Sequence, residues 1–248
     1  MKYLACSDTQ FPLHDPRAVT LWLNVLQGFK PDLVDLVGDI DDADSTSRWA
    51  IGPEKMVSVN EAGAKLTKEF LKDVKTKGKK GADIHFFDGN HGWHRHHKFL
   101  LDNAPQFLEQ VTPNTLYGHE DLGIEFHEYG ALPVNRFNDM YVHHGDSVSK
   151  HSGGSVQSDM EVWGVSLIRG HSHRIGTYYR HFELTGRTLE GYEIGHLMDI
   201  KKGDYTPKRN WQQGFIYGYI DTEAQQHHLS LVQIKDGVAY VGGKRYSA

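Results

Sequence analysis

The sequence predicts an α/β fold, on three observations. Runs rich in β-branched and aromatic residues alternate with helical stretches through the first half of the chain, the pattern of strands crossing over to parallel neighbours. Five of these runs end in polar clusters instead of ordinary turns. At 248 residues, with 38% hydrophobic content, the chain is long enough to bury one large core, and a single domain over residues 1–248 is expected.

The elements follow in order. The first strand is Lys2–Cys6, ending in Ser7-Asp8-Thr9-Gln10, and a helix over Pro16–Phe29 follows. The second strand, Leu33–Val37, ends in Gly38-Asp39-Ile40-Asp41-Asp42. A helix is expected over Pro53–Lys77, where Pro53 suits a first turn. The third strand, Asp83–Phe87, leads through Asp88-Gly89 into Asn90-His91, and a helix over Arg95–Glu109 follows. The fourth, Met140–His143, runs into His144-Gly145-Asp146, ahead of a helix over Ser155–Trp163. The fifth, Val165–Ile168, precedes Arg169-Gly170-His171-Ser172-His173. Elsewhere Phe126–Tyr129, Tyr178–Leu184, Gly191–Ile200, Phe215–Asp221 and His228–Tyr240 read as strands, with Asp236-Gly237 a hairpin turn. In open α/β sheets the ligand crevice lies beyond the carboxyl ends of the strands, where the five polar clusters fall.

Composition excludes several classes. A net charge of -5 argues against binding by blanketing a polyanion backbone. No run approaches the roughly 18 apolar residues of a membrane span. The amino terminus turns polar within eight residues, too soon for a secretory signal, so a cytoplasmic protein is expected. A single cysteine, Cys6, excludes an internal disulfide framework and a Cys-cluster zinc site. The charge run Lys72–Lys80 reads as a solvated helix end.

The chain carries 17 histidines, and imidazole is the commonest metal ligand. Asp8, Gln10, Asp39, Asn90, His144, His171 and His173, gathered at the strand ends, are oxygen and nitrogen donors suited to hard or borderline divalent ions. Asp8 and Gln10, like His171 and His173, stand two apart and so face one side of an extended segment. Each alone reads as a turn, a cap or a satisfied histidine; the set in this order is far more specific. His94, His96, His97, His119, His127, His227 and His228 lack the pattern and read as ordinary core or surface residues.

In that order the motifs resemble those of the calcineurin-like metallophosphoesterases: Asp8-Thr9-Gln10, Gly38-Asp39-Ile40-Asp41-Asp42, Gly89-Asn90-His91-Gly92, His144-Gly145 and Gly170-His171-Ser172-His173. The segment Asn210-Trp211-Gln212-Gln213-Gly214-Phe215 is similar to bacteriophage-encoded members, which implies action in the host cytoplasm. The resemblance implies a two-sheet αββα sandwich with mixed sheets and outer helices. It also implies two divalent ions, one on Asp8, Gln10, Asp39 and His173, the other on Asp39, Asn90, His144 and His171. Such a pair activates a bridging water and polarises a phosphate ester. His91 would serve the leaving oxygen, making His91, Asn90 and Asp39 the catalytic set, with His144 chosen over His143 because it directly precedes glycine. Arg95, Arg169 and Arg174 are expected to clamp phosphate oxygens.

Two departures stand out. Gln10 replaces a histidine, which leans the first site towards manganese, magnesium or iron over zinc. Gly92 replaces an acid that orients the catalytic imidazole, leaving Asp88, Asp42 and Asp146 as substitutes. The function expected is a phosphoesterase, slightly favouring a phosphodiester in nucleic acid or a nucleotide, with Trp93–Lys98 and Lys201–Trp211 available for bases and phosphates. A phosphomonoesterase acting on small molecules or proteins, and a non-catalytic metal-binding interaction module, are the alternatives.

Overall fold

A computed structural model describes residues 1–46, 53–202 and 210–248. Thirteen strands are described: β1 Lys2–Cys6, β2 Leu33–Val37, β3 Asp83–Phe87, β4 Glu125–His127, β5 Val134–Phe137, β6 Met140–Val142, β7 Ser166–Arg169, β8 Ile175–Phe182, β9 Arg187–Ile194, β10 Gly214–Asp221, β11 Gln226–Gln233, β12 Val238–Val241 and β13 Lys244–Ser247. The helices are α1 Pro16–Phe29, α2 Pro53–Lys77, α3 Trp93–Asn103, α4 Pro113–Tyr117 and α5 Gly154–Trp163.

One six-stranded sheet has the order β11-β10-β1-β2-β3-β4, parallel from β1 to β4 and antiparallel at β10 and β11. A five-stranded sheet has the order β5-β6-β7-β9-β8, with parallel β6, β7 and β9 between antiparallel edges. Side-chain alternation divides the core into layers. Tyr3 and Ala5 of β1 pack with Met140, Val142, Ile168 and Ile194 between the two sheets. Leu4 and Cys6 point the other way, onto Trp22 and Leu26 of α1 and Phe70 and Leu71 of α2. Val156 and Met160 of α5 cover Leu167 and Leu189 on the far side of the second sheet. Helix, sheet, sheet, helix is the expected αββα sandwich.

β1, β2, β3, α1 and α2 take the predicted bounds, because each carries its own stop signals. Asp15 caps α1 by accepting from the Arg17 amide at 2.9 Å, and Pro16 opens its first turn. Several other elements differ. The predicted helix Arg95–Glu109 begins at Trp93, because the Asp88 carboxylate accepts the Trp93 and His94 amides at 3.1 and 2.8 Å. It stops at Asn103 ahead of Pro105, which disfavours helical geometry in the residue before it. The predicted strand Gly191–Ile200 ends at Ile194, where the chain crosses to the first sheet and the Leu197 amide donates to the Asp8 carbonyl at 3.2 Å. His228–Tyr240 divides into β11 and β12 around the Asp236-Gly237 turn, both of whose residues have positive φ. Most of Lys201–Trp211 lies outside the described residues. Among the described residues no helix is long and apolar enough to cross a membrane.

Candidate metal centre

The carboxyl ends of β1, β2, β3, β6 and β7 lie together, and the polar clusters that follow them converge. Asp39, His144 and His171 each place a donor atom within 4.8 Å of the others. His144 Nε2 stands 3.3 Å from Asp39 Oδ2 and 3.2 Å from Asn90 Oδ1. Its Nδ1 lies 2.9 Å from the Val37 carbonyl, which takes the Nδ1 proton and turns Nε2 towards the cluster. On the other side, His173 Nε2 lies 3.1 Å from Asp8 Oδ1 and 3.3 Å from Gln10 Nε2. The His171 amide donates to Asp8 Oδ2 at 2.9 Å, joining residues 163 apart in sequence. His143 faces the other way, with Nε2 3.6 Å from Asp159.

The backbone is strained to make this arrangement. Asp8, Gln10, Asp39, His171 and His173 all have φ between 50° and 66°, where residues other than glycine are uncommon. Each such residue costs on the order of 1–3 kcal/mol, and such strain concentrates at functional sites. Hydrogen bonds from the Asp8 amide to Gly38 O at 3.0 Å and from the Gln10 amide to Asp39 O at 2.9 Å hold it in place. Gly89 is required by close approach: a Cβ there would lie 1.9 Å from Asp39 Oδ1.

Burial works against ionising Asp8 and Asp39, but the imidazoles outweigh it. His173 and then His144 hold Asp8 below the usual carboxylate range, and His144 and His91 hold Asp39 well below it. Burial likewise opposes a charge on His144, yet Asp39 raises it to about 9, whereas burial and His144 pull His171 down to about 4. Gln10 Oε1 and His173 Nδ1 are buried without a hydrogen-bond partner. Strained, ionised and under-satisfied oxygen and nitrogen donors fit divalent cations, since unpartnered buried polar atoms are otherwise costly.

His91 sits beside this cluster, with Nε2 4.0 Å from Asp39 Oδ2. Asp42, two positions past the Ile40 of its motif, orients it through Nδ1 at 2.9 Å. Gly92 cannot carry an orienting acid, because its φ of 61° and ψ of -136° belong to glycine and a Cβ there would lie 2.7 Å from Asp88 Oδ1. Asp88 is instead the cap of α3.

The three arginines separate. Arg95 lies beside His91: one guanidinium nitrogen is 2.8 Å from His91 Nε2 and another donates to the Asp42 carbonyl at 2.9 Å. Arg169, expected to clamp substrate, is fully buried and bonded to Asp159 Oδ2, Ser147 and the Gly170 carbonyl, so it faces the interior and no solvent-borne phosphate reaches it. Arg174 ties the Ser149 carbonyl to the Asn210 carbonyl, which leaves its guanidinium engaged in holding two loops. Sequence reasoning also passed over Glu193, fully buried, which accepts the Ser155 and Val156 amides at 2.8 and 3.0 Å and the Ser172 hydroxyl at 3.1 Å, steadying the His171–His173 turn. A buried acid inside a strand, Glu193 in β9, was its available signal.

A two-sheet sandwich with oxygen and nitrogen donors at its strand ends, in this motif order, is the pattern of the calcineurin-like metallophosphoesterases that the sequence resembles. The chain is similar to the Gene 54 proteins of Mycobacterium phages L5 and D29, 26% identical to each, with 98% of this chain and 97% of each relative covered. No family model matches. Among solved structures, Vps29 of Entamoeba histolytica complexed with zinc aligns with a TM-score of 0.48 at 14% identity, covering 100% of this chain and 99% of that one. YfcE, a phosphoesterase from E. coli, aligns with a TM-score of 0.43 at 15% identity, covering 95% of this chain and 100% of that one.

Proposed function

We propose that the protein is a phosphoesterase dependent on two divalent metal ions, most readily manganese. The observation that carries this reading is the convergence of Asp39, His144 and His171 within 4.8 Å, from three separate strand ends, beside the oriented pair of His91 and Asp42. Asp8, Gln10, Asp39 and His173 would hold one ion, and Asp39, Asn90, His144 and His171 the other. When bound, such ions lower the pKa of water and polarise a phosphoryl oxygen, with positive charge that an acidic protein otherwise lacks.

The chain's own residues supply the rest. Asp42 accepts from His91 Nδ1, and Nε2, which accepts from Arg95 here, would hold or donate a proton towards the leaving oxygen once the guanidinium turns to the phosphate. Burial opposes charging His91, but Asp39 and then Asp42 outweigh it and raise its pKa, which suits an acid. Arg95, beside His91 Nε2, is placed to meet a non-bridging phosphate oxygen.

A small cleft of about 40 Å³ opens beside His144, with Phe87, Tyr129, Leu132 and Trp163 among its walls. That space holds only a few waters, so the preference for a phosphodiester of a nucleotide or nucleic acid over a simple monoester rests on the phage relatives. With mycobacteriophage proteins as its relatives, the chain is assigned to the host cytoplasm.

The test is hydrolysis by metal-stripped protein resupplied with manganese, on a chromogenic phosphodiester and the matching monoester, with Asp39→Asn as control. Metal-dependent cleavage that disappears in Asp39→Asn supports the reading, and the diester should be the faster substrate. Bound metal without cleavage of either ester points to the binding module instead; cleavage unchanged in Asp39→Asn refutes the site.

A further inference from the structure

Away from the strand-end centre, the motif of an acid, any residue and a histidine occurs on two adjacent parallel strands: Asp83-Ile84-His85 in β3 and Glu125-Phe126-His127 in β4. Residues two apart in a strand share a face, and His85 pairs directly with Glu125 while Phe87 pairs with His127. All four polar side chains therefore meet on one side of the sheet. His127 Nε2 lies 2.8 Å from His85 Nδ1 and 3.6 Å from Glu125 Oε1, and His85 Nε2 lies 3.3 Å from Asp83 Oδ1 and 3.4 Å from Glu125 Oε2. We propose that His85, Glu125 and His127 form a further cation site, for a borderline divalent ion of the zinc class.

Two imidazoles and a carboxylate are a common zinc donor set, and nitrogens at roughly 2.0–2.1 Å from one tetrahedral ion stand about 3.4 Å apart. The observed 2.8 and 3.6 Å separations bracket that spacing. His85 and His127 are largely buried, whereas the Glu125 side chain is 64% exposed and offers an entry path.

Arg136 is the opposing charge. Its Nη1 lies 2.9 Å from both His85 Nε2 and Asp83 Oδ2, and its Nε donates to Asp35 Oδ1 at 2.8 Å. Ligation through His85 Nδ1 would place that ring's proton on Nε2, which then gives up its contact with the Arg136 guanidinium and donates to Asp83 or Glu125, the usual carboxylate support of a ligating histidine. Arg136 keeps both of its carboxylate partners in that state. The competing arrangement is a hydrogen-bonded chain from Arg136 through His85 to His127 that holds no ion. An ion here would pin the three-residue edge strand β4 to β3, and so hold the segment 128–132 that walls the cavity beside His144.

Anomalous diffraction at the zinc edge, from crystals equilibrated with micromolar zinc, should show a peak between His85 Nδ1 and His127 Nε2. By elemental analysis of metal-stripped protein reloaded with zinc, His85→Ala/His127→Ala should lose one equivalent, and the more exposed Glu125→Gln should weaken that ion's binding at least tenfold. Asp39→Asn should retain this ion while losing metal at the strand ends, which separates the site from the proposed catalytic centre. No peak, or zinc content unchanged in both sets of variants, leaves the ion-free chain and overturns the proposal.

Discussion

Replacing Asp159 by alanine should unfold the protein more readily than almost any surface change, because it strands a buried cation. Arg169 is fully buried, and its guanidinium donates to Asp159 Oδ2 at 2.5 Å, the Ser147 hydroxyl at 2.9 Å, the Ser147 carbonyl at 2.8 Å and the Gly170 carbonyl at 3.2 Å. Only Asp159 among these partners carries a compensating charge. Removing one member of a buried pair costs about 3–5 kcal/mol, since the other remains desolvated and unpaired. In a chain of this length that lowers Tm by roughly 6–20 °C. The damage should reach the site as well, because the guanidinium packs against Gly145, next to His144, and bonds Gly170, next to His171. Burial opposes ionisation of Asp159, but the His143 contact and Arg169 hold its pKa below the usual value. A depressed carboxyl contributes stability above its unfolded value of about 3.9, and that contribution is lost as pH falls through the lower folded value. The gap between wild type and Asp159→Asn should therefore shrink below about pH 4. Denaturant melts from pH 3 to 7 measure this. A loss under about 1 kcal/mol in Asp159→Ala at pH 7, or a gap that widens in acid, would refute the reasoning.

Other outcomes follow from the same geometry. His91→Ala should reduce kcat by roughly 10²–10⁴ with metal content near normal, which steady-state kinetics beside elemental analysis will report. Asp42→Asn should lose about 10–100-fold in kcat by freeing the His91 ring, and a fall in bound metal of the same size would assign Asp42 to the ions instead. Gly92→Asp, which restores the acid of the family motif, should destabilise by about 1–3 kcal/mol with no gain in rate, because the backbone there is glycine's and Asp88 occupies the space. Trp22→Ala, in the layer between α1 and the first sheet, should cost about 3–5 kcal/mol in denaturant melts.

Local chemistry accounts for what was legible in the chain. β1, β2, β3, α1 and α2 are bounded by residues that act on their immediate neighbours, such as Asp15 and Pro16 at α1, and their bounds match. The clustering of Asp8, Asp39 and Asn90 was legible because the parallel strands β1, β2 and β3 of one sheet end on one side, whereas the meeting with His144 and His171 depends on how the second sheet packs on the first. The elements misjudged in extent depend on distant partners: α3 starts where Asp88 caps it, and β9 stops where the chain crosses to the first sheet. The β5–β6 hairpin went unread because Asn138-Asp139, both at positive φ, makes its turn without a glycine.

By itself the sequence determined the alternation of elements, the candidate donors and the order in which they meet the strand ends, all set by short-range propensity and side-chain period. The tertiary structure decided which groups those donors face. It turned Asp42 to His91, sent Arg169 inward to Asp159, left Arg95 beside His91 and brought His85 to His127. Those choices depend on how whole segments pack together, Asp42 and His91 lying 49 residues apart and His85 and His127 42, and the burial of a charge and the partner it finds outweigh any preference written in neighbouring residues.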